Sequence, residues 1–307
     1  AGGGGDPYIG RLMAQSAIAE HGFPAIIDPD DVADEAFSFI VAMLGAPTVL
    51  VEKAASGADI DLAVARMQQR FGRKADALLP VEIGGVNSTL PIMAAARNRL
   101  PLINADGMGR AFPEIQMTAM NFEGISASPF VLVDEHLNSV IVETHSARKT
   151  ESFVRSAAIE MGLSCVVAGY AMSGADVKRA TVPGTLTAAL EIGRAIREGR
   201  RRGHAVEMLI DQLESLPQYG AARRVFDAKI VDLKRETARG FSVGCCVMEH
   251  VDDPMRRMDV SFQNENLAAI ENGVVRAIVP DLVSIVDAET AARGRAPASR
   301  AKDVDDS

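Results

Sequence analysis

Cysteine is scarce in this sequence, which has 307 residues but only Cys165, Cys245 and Cys246. Three cysteines cannot build a disulfide framework, and the adjacent pair could bond to each other only with strain. We therefore expect a protein of a reducing compartment and predict a cytoplasmic location.

Long apolar runs and an excess of basic residues are also missing. No run reaches the roughly 18 residues that span a bilayer, and no basic segment precedes an apolar one as in a signal peptide. Lys and Arg number 32 against 41 Asp and Glu, which gives a net charge of -9. Nucleic-acid binders neutralise phosphates with positive charge. The sequence thus predicts neither a membrane nor a nucleic-acid partner.

The composition is that of a globular protein, with 48% hydrophobic and 24% charged residues. Apolar segments alternate with amphipathic helical patterns such as 58–71, 149–161 and 185–201. This alternation favours an α/β fold, layered, with a mainly parallel sheet and helices on both faces. We predict that this ligand-binding domain occupies residues 1–220.

From residue 225 the apolar pattern changes to a period of two. The predicted strands are 225–234, 241–248, 258–262, 267–270, 274–279 and 282–286. Short strands with tight connections are typical of a small antiparallel domain, which we place at 221–290 and expect to be β-barrel-like. Residues 291–307 have no periodicity and are predicted to form a disordered tail.

Three glycine-rich segments stand where open sheets place their ligands, at strand ends or helix starts. In the first, a glycine run that includes Gly3, Gly4 and Gly5 precedes Asp6, which can cap a helix beginning at Pro7. Backbone N–H groups of glycine approach a ligand closely because no Cβ intervenes. A plain turn explains the run equally well, so ligand binding here is one of two open interpretations.

The second segment, residues 82–88, follows an apolar strand. Glu82 should emerge at the carboxyl edge of the sheet, beside Gly84 and Gly85, with Asn87 or Ser88 capping the next helix. A carboxylate that ends an apolar strand needs a partner, which favours a functional role for Glu82. Capping is the simpler explanation for the other two polar residues.

The third segment, residues 104–114, repeats this arrangement of strand, acid, glycine turn and base. Asp106, Gly107 and Arg110 either approach a substrate or include a structural ion pair. Glu114 lies one helical turn after Arg110, where an ordinary surface pair and a catalytic role are both open.

Metal ligands are weakly indicated, and we assign none. The five histidines are scattered without metal-ligand spacing, and only His145, near a strand end, is retained as a candidate. Cys165 falls in the middle of a predicted strand, where a buried core position is favoured over a nucleophile.

Taken in order, these motifs resemble the S-methyl thiohydantoin desulfurase domain family, which is associated with hydantoinase and oxoprolinase proteins. The matching stretches cover residues 1 to about 287: Gly-Gly-Gly-Gly-Asp-Pro-Tyr at 2–8, Gly-Ala-Pro-Thr-Val at 45–49, Glu-Ile-Gly-Gly-Val-Asn-Ser at 82–88, Ala-Asp-Gly-Met-Gly-Arg-Ala-Phe-Pro-Glu-Ile-Gln-Met at 105–117, Pro-Gly-Thr-Leu at 183–186 and Phe-Gln-Asn-Glu-Asn-Leu at 262–267. The resemblance implies an α/β layered domain joined to a β-barrel-like domain. It also implies a reaction that removes a methylthio group from a thiohydantoin ring.

The resemblance leads to a mechanistic hypothesis. Water adds to the ring carbon that bears sulfur, a carboxylate (Asp106 first, Glu82 second) takes the proton, and methanethiol leaves. Arg110 and the glycine-loop amides stabilise developing charge, while Glu114 donates a proton or fixes Arg110. The predicted substrate contacts are Gly3, Gly4, Gly5, Asp6, Gly84, Gly85, Asn87, Ser88 and Gly107.

Two other functions stay open at this point. One is metal-assisted hydrolysis of a hydantoin-like or oxoproline-like cyclic amide, with Asp106, Glu82 or His145 as ligands of a divalent metal. The other is a non-catalytic ligand-binding partner of a hydantoinase or oxoprolinase. Desulfuration and cyclic amide hydrolysis both require a small cyclic substrate. A homo-oligomer is compatible with either reaction and with the binding role.

Overall fold

The computed structural model describes residues 5–45, 49, 53, 55–238 and 241–292. Gly3 and Gly4, most of the 45–49 motif and nearly all of the predicted tail lie outside the described residues. The helices are α1 Pro7–His21, α2 Ala58–Phe71, α3 Leu90–Asn98, α4 Ala119–Phe122, α5 Ala147–Glu160, α6 Gly174–Ala180, α7 Thr185–Arg202 and α8 Ala205–Ser215, with a 3₁₀ turn at Pro29–Asp31. The strands are β1 Ile26–Ile27, β2 Phe37–Gly45, β3 Ala77–Pro80, β4 Leu102–Ile103, β5 Ala105–Asp106, β6 Phe130–Val133, β7 Ser139–Val142, β8 Ser164–Ser173, β9 Val182–Pro183, β10 Ala228–Ala238, β11 Phe241–His250, β12 Arg257–Gln263, β13 Glu265–Glu271 and β14 Val274–Ile278.

The first body is a seven-stranded sheet in the order β1-β4-β3-β2-β8-β6-β7. Strands β1, β4, β3 and β2 pair in parallel, and β2 and β6 are both antiparallel to β8. Five of the seven strands therefore run in one direction, as a mainly parallel sheet requires. The antiparallel β8 lies between β2 and β6, and the edge strand β7 pairs antiparallel with β6.

Helices cover both faces of this sheet, as predicted for the layered α/β fold. One face of β2 packs with apolar side chains of α1, α2 and α3. The other face packs with α4, α5 and α6. The central strands β2 and β8 carry near-continuous apolar runs because both of their faces are buried.

The second body is a separate antiparallel sheet in the order β10-β11-β12-β13-β14. This sheet confirms the antiparallel organisation that the period-two pattern predicted. In the described part of the chain the first and last strands do not pair with each other, so the sheet is an open meander. Its apolar face is formed by side chains that include Cys246, Met258 and Val260.

One predicted strand is wrong, and one helix was not predicted. Residues 282–285 form no strand and Val286 forms an isolated bridge, whereas Val283 and Ile285 pack on the apolar face of the meander, so their alternation reflects burial. Helix α8 was not predicted as a separate element. It follows Gly203, whose positive φ of 77° ends α7 and turns the chain back.

No helix in the described part of the chain is long and apolar enough to cross a membrane. The predicted boundary between residues 220 and 221 falls in the irregular segment between α8 and β10 and stays a prediction.

Candidate functional site

Two buried carboxylates follow the neighbouring strands β3 and β4 of the seven-stranded sheet. Glu82 comes two residues after the end of β3. Asp106 comes three residues after the end of β4 and ends β5, which pairs with β9 in a separate two-stranded sheet. They are 8% and 0% exposed. The geometry therefore brings together the second and third glycine-rich segments, as their positions at strand ends predicted.

The Glu82 carboxylate is held at both oxygens. Its Oε1 accepts a hydrogen bond from Asn87 Nδ2 at 2.8 Å, and its Oε2 accepts one from the backbone N–H of Phe112 at 2.8 Å. Burial nevertheless raises the pKa of Glu82 to about 7, because the two donors and the charge of Arg110 only partly offset the lost hydration. A carboxyl group with this pKa exchanges a proton near neutral pH.

Asp106 has different partners. Its Oδ2 accepts from the N–H of Ile83 at 2.6 Å, while Oδ1 accepts from the N–H groups of Met108 and Gly109 at 3.2 and 2.7 Å. Burial raises the pKa of this carboxyl to about 7 even against these three donors, and the nearby charge of Glu82 adds to the rise. Asp106 ties residue 83 to the turn after β5.

Asn87 positions Glu82 and does not cap a helix. Its amide exchanges two hydrogen bonds with the backbone of Met43 in β2, through Oδ1 at 2.8 Å and Nδ2 at 3.1 Å. The predicted cap is wrong for both candidates: Thr89 precedes α3, and the Ser88 hydroxyl donates to the carbonyl of Gly84 at 2.6 Å. The backbone between Glu82 and α3 forms a turn of its own, which displaces the helix start.

The glycines serve close packing within the protein. A Cβ at Gly85 would lie 2.0 Å from the carbonyl oxygen of Gly5, and one at Gly107 would lie 2.8 Å from the carbonyl oxygen of Val81. Gly84 lies against the Glu82 carboxylate, 3.1 Å from a Cβ built on it. The first and second glycine segments therefore contact each other, and a side chain at Gly85 would separate them.

Asp6 caps α1 as predicted, accepting a hydrogen bond from the N–H of Tyr8 at 2.8 Å. Pro7 occupies the first helical position. This arrangement fixes Gly5 at the start of the helix, beside Gly85.

Arg110 connects the two bodies. Its Nη1 donates to the carbonyls of Pro280 and Asp281, at 2.8 and 2.9 Å, and its Nε donates to the carbonyl of Ala111. Burial lowers the pKa of this guanidinium, partly offset by the charges of Glu265, Asp281 and Glu82. The hydrogen bonds of Arg110 go to backbone carbonyls, and Asp106 accepts from backbone N–H groups, so the two residues do not form the ion pair considered from sequence.

Glu114 bridges the two bodies at its carboxylate. It accepts hydrogen bonds from the amide groups of Gln116 and Gln263, and the second of these lies in β12. Its predicted contact with Arg110 is not among its hydrogen bonds in the described part of the chain.

A buried ion pair on α5 was missed by sequence reasoning. Arg155 donates to Glu151 through Nε at 2.8 Å and Nη2 at 2.7 Å, and the exposed fractions of the two residues are 9% and 6%. Glu151 also accepts from the N–H of Ile115, and Arg155 lies 4.3 Å over the ring of Phe241. The spacing of 150, 151, 154, 155 and 158 on one helical face was the available signal, because it puts two charges on the buried side.

A cavity of about 100 Å³ lies between the sheet and the meander. This space holds roughly three water molecules or a small ring. Its polar lining includes Glu82, Asn87, Glu114, Glu151, Arg155, Asn264 and Glu265, and its apolar lining includes Phe112, Ile115 and Phe130. Asp106 and Arg110 do not line the cavity. Of the described residues in the first glycine segment, Gly5 lines it.

Metal ligands do not cluster in the described part of the chain: no group of three or more His, Cys, Asp or Glu side chains there could hold an ion. His145 is exposed at the start of α5. Cys165 is buried in β8, where burial raises its thiol pKa to about 12, as a core cysteine requires.

A mainly parallel α/β layer joined to an antiparallel meander, with a carboxylate-lined cavity at their junction, defines the structural class. Models of the S-Me-THD-like N-terminal and C-terminal domains match residues 1–144 and 145–302, and the chain belongs to the S-Me-THD-like family. The family recognised from the motifs is thus confirmed. The two family domains divide within the α/β layer, at a different point from the boundary that the change of periodicity indicates.

A solved structure gives the same fold. An X-ray crystal structure of a protein from Chromobacterium violaceum superposes with a TM-score of 0.72 at 24% identity, covering 92% of this chain and 76% of that one. The comparison with curated proteins finds no match.

Proposed function

We propose that the protein is a hydrolase that removes the methylthio group from an S-methyl thiohydantoin-type ring, releasing methanethiol and a hydantoin. The observation that carries the proposal is Glu82, a cavity-lining carboxyl group with its pKa raised to about 7. A general base works best when its pKa lies near the working pH. Membership of the S-Me-THD-like family supports the substrate class.

In the proposed reaction Glu82 takes a proton from a water molecule as the water oxygen bonds to the ring carbon that bears sulfur. The adjacent C=N bond becomes a C–N single bond, and Glu82 passes its proton to the ring nitrogen. In the collapse of the tetrahedral intermediate, Glu82 takes the remaining hydroxyl proton as the C=O bond forms and the C–S bond breaks. Glu82 then passes this second proton to sulfur, so one water molecule is consumed and methanethiol and a hydantoin are formed.

This assignment changes the order of the two carboxylates in the sequence hypothesis. Glu82 lines the cavity, whereas Asp106 is fully buried and its two oxygens accept three backbone N–H groups. We assign the role of general base to Glu82. We assign to Asp106 the structural role of holding the backbone of Ile83 against the turn after β5. Asn87 then orients the base through the 2.8 Å bond to its Oε1.

The cavity lining suits a small, flat, partly polar ring. Phe112, Ile115 and Phe130 offer apolar contact for the ring and the methylthio group. Arg155 supplies a positive charge at the same cavity, which stabilises negative charge that develops on the ring during water addition.

The direct test is to incubate the purified protein with an S-methyl thiohydantoin and measure methanethiol release. We expect kcat/KM to rise with pH through about 7 and then level off, because Glu82 must lose its proton to act as a base. Glu82→Gln should lower kcat by about 10²- to 10⁴-fold. Glu160→Gln, which changes an exposed carboxylate of α5, is the matched control and should leave both quantities unchanged.

Parallel incubations with hydantoin and oxoproline, with and without a chelator, separate the alternatives. Ring opening of either compound would reassign the protein to cyclic amide hydrolysis. Binding of the thiohydantoin without turnover by the folded protein would favour an accessory role.

A further inference from the structure

A second concave surface lies on the meander, away from the candidate active site. It is lined by Arg223, Arg224, Arg256, Arg276 and Glu271, with Val225 and Val275 as its apolar members, and has a volume of about 470 Å³. We call it the arginine cleft. Glu265 and Glu271 are the two ends of β13, so the cleft lies about 20 Å along the strand from the active-site cavity.

Glu271 organises the cleft. Its carboxylate is 7% exposed and accepts from Nε of Arg256 at one oxygen and from Nε of Arg276 at the other, both at 2.7 Å. One buried carboxylate thus fixes two guanidinium groups by their inner nitrogen atoms. In the described part of the chain their terminal Nη groups donate no hydrogen bond to the protein.

The remaining arginines differ in how far they are neutralised. Arg224 is engaged by Glu207 at 2.8 Å and by Asp227 at 3.4 Å. Arg223 donates to the carbonyl of Arg276 at 3.1 Å. Glu271 pairs with Arg256 and Arg276, whereas no ion pair to Arg223 occurs in the described part of the chain. With Arg224 and its two carboxylate partners included, the four arginines exceed their carboxylates by one positive charge.

We propose that the arginine cleft binds a small phosphate-bearing ligand. A phosphate monoester carries close to two negative charges at neutral pH, so the positive cleft attracts it, and its oxygen atoms suit the forked geometry of guanidinium groups. The volume of the cleft lies within the range of small-molecule sites. The net charge of -9 on the whole chain opposes a long polyanion while leaving this local positive surface intact.

The test is calorimetric titration of the full chain at constant ionic strength with inorganic phosphate and, separately, with a nucleoside monophosphate and with an acidic peptide that carries no phosphate. Saturable binding of phosphate alone identifies the phosphate group as the ligand, and tighter binding of the nucleotide identifies an organic phosphate. Arg223→Gln is the first variant, because it leaves both partners of Glu271 in place. Loss of one charge-assisted contact should weaken binding about tenfold.

Arg256→Gln is the second variant and should weaken binding by at least as much, with circular dichroism reporting whether the fold survives. Arg201→Gln, at an exposed arginine of α7 that pairs with Glu198, is the control and should bind as the unchanged protein does. Absence of saturable binding, equal binding by Arg223→Gln, or binding only of an acidic peptide would overturn the proposal. The last result would assign the cleft to a protein partner.

Discussion

At the residue scale, Glu82 and Asp106 show how partners divide two carboxylates with similar burial. Burial raises the pKa of both to about 7. Three backbone N–H groups occupy the two oxygens of Asp106, whereas Glu82 receives one backbone and one side-chain donor and lines the cavity. The different roles that we propose for them therefore rest on hydrogen bonding more than on burial.

Asp106→Asn should destabilise the protein more than it impairs the chemistry. The new amide NH₂ would face at least one of the backbone N–H groups of Ile83, Met108 and Gly109, and leaving such a buried donor unsatisfied costs about 1–3 kcal/mol. We expect the free energy of unfolding in urea to fall by that amount. The folded variant should keep turnover within about tenfold, against the 10²-fold or larger loss expected of a missing base.

Methanethiol release by Asp106→Asn, measured beside Glu82→Gln at the same fraction folded, distinguishes the two carboxylates. If Asp106→Asn abolished turnover at unchanged stability, the base would be Asp106, as the sequence hypothesis had it.

At the element scale, α5 carries charge on its buried face. Thr150, Glu151, Val154, Arg155 and Ala158 are its buried positions. Helical periodicity alone predicts that the buried face is apolar and that a charged pair lies on the exposed face. The pair is instead completed by groups from elsewhere in the chain: the N–H of Ile115, the carbonyl of Pro113 and the ring of Phe241.

Arg155→Ala should lower the free energy of unfolding by about 3–5 kcal/mol. The reason is that Glu151 would keep a buried charge without its cationic partner. Urea denaturation followed by circular dichroism measures the change. Arg148→Ala, at an exposed position of the same helix, is the control and should change the stability by less than about 0.5 kcal/mol. Equal effects of the two substitutions would mean that the buried pair contributes nothing to stability.

The elements also differ in how well local pattern defined them. The predicted bounds of α2, residues 58–71, agree with the structure because its single apolar pattern ends at a turn. The predicted helix cap at Asn87 is wrong because that side chain bonds to the backbone of Met43, 44 residues away. A local pattern carries no information about such a partner.

At the scale of the whole molecule, the cavity depends on contact between the α/β layer and the meander. Arg110 donates two hydrogen bonds to carbonyls of the segment that follows β14, and Gln263 reaches Glu114 from β12. Asn264 and Glu265 line the same cavity from the meander. Neither body alone contains the complete site.

Arg110→Ala should loosen this junction. Loss of the two hydrogen bonds to Pro280 and Asp281 should raise amide hydrogen exchange in residues 279–286, and we expect KM to increase more than kcat falls. Exchange followed by mass spectrometry, together with steady-state kinetics, measures both effects. Arg194→Ala on the exposed face of α7 serves as the control. Unchanged exchange in residues 279–286 would contradict the bridging role of Arg110.

The sequence by itself determined the α/β layer, the antiparallel character of the second domain, the family and the two carboxylates at neighbouring strand ends. These features depend on periodicity and on short motifs, which are local properties of the chain. Only the tertiary structure decided that Glu82 faces the cavity, that Asp106 holds backbone N–H groups, and that Glu151, Arg155, Asn264 and Glu265 complete the lining. The hydrogen bond from Ile83 to Asp106 and the cavity lining join residues that are distant in the chain, and a local pattern carries no information about such contacts. The contribution of Asn264 and Glu265 also requires the meander to pack against the α/β layer.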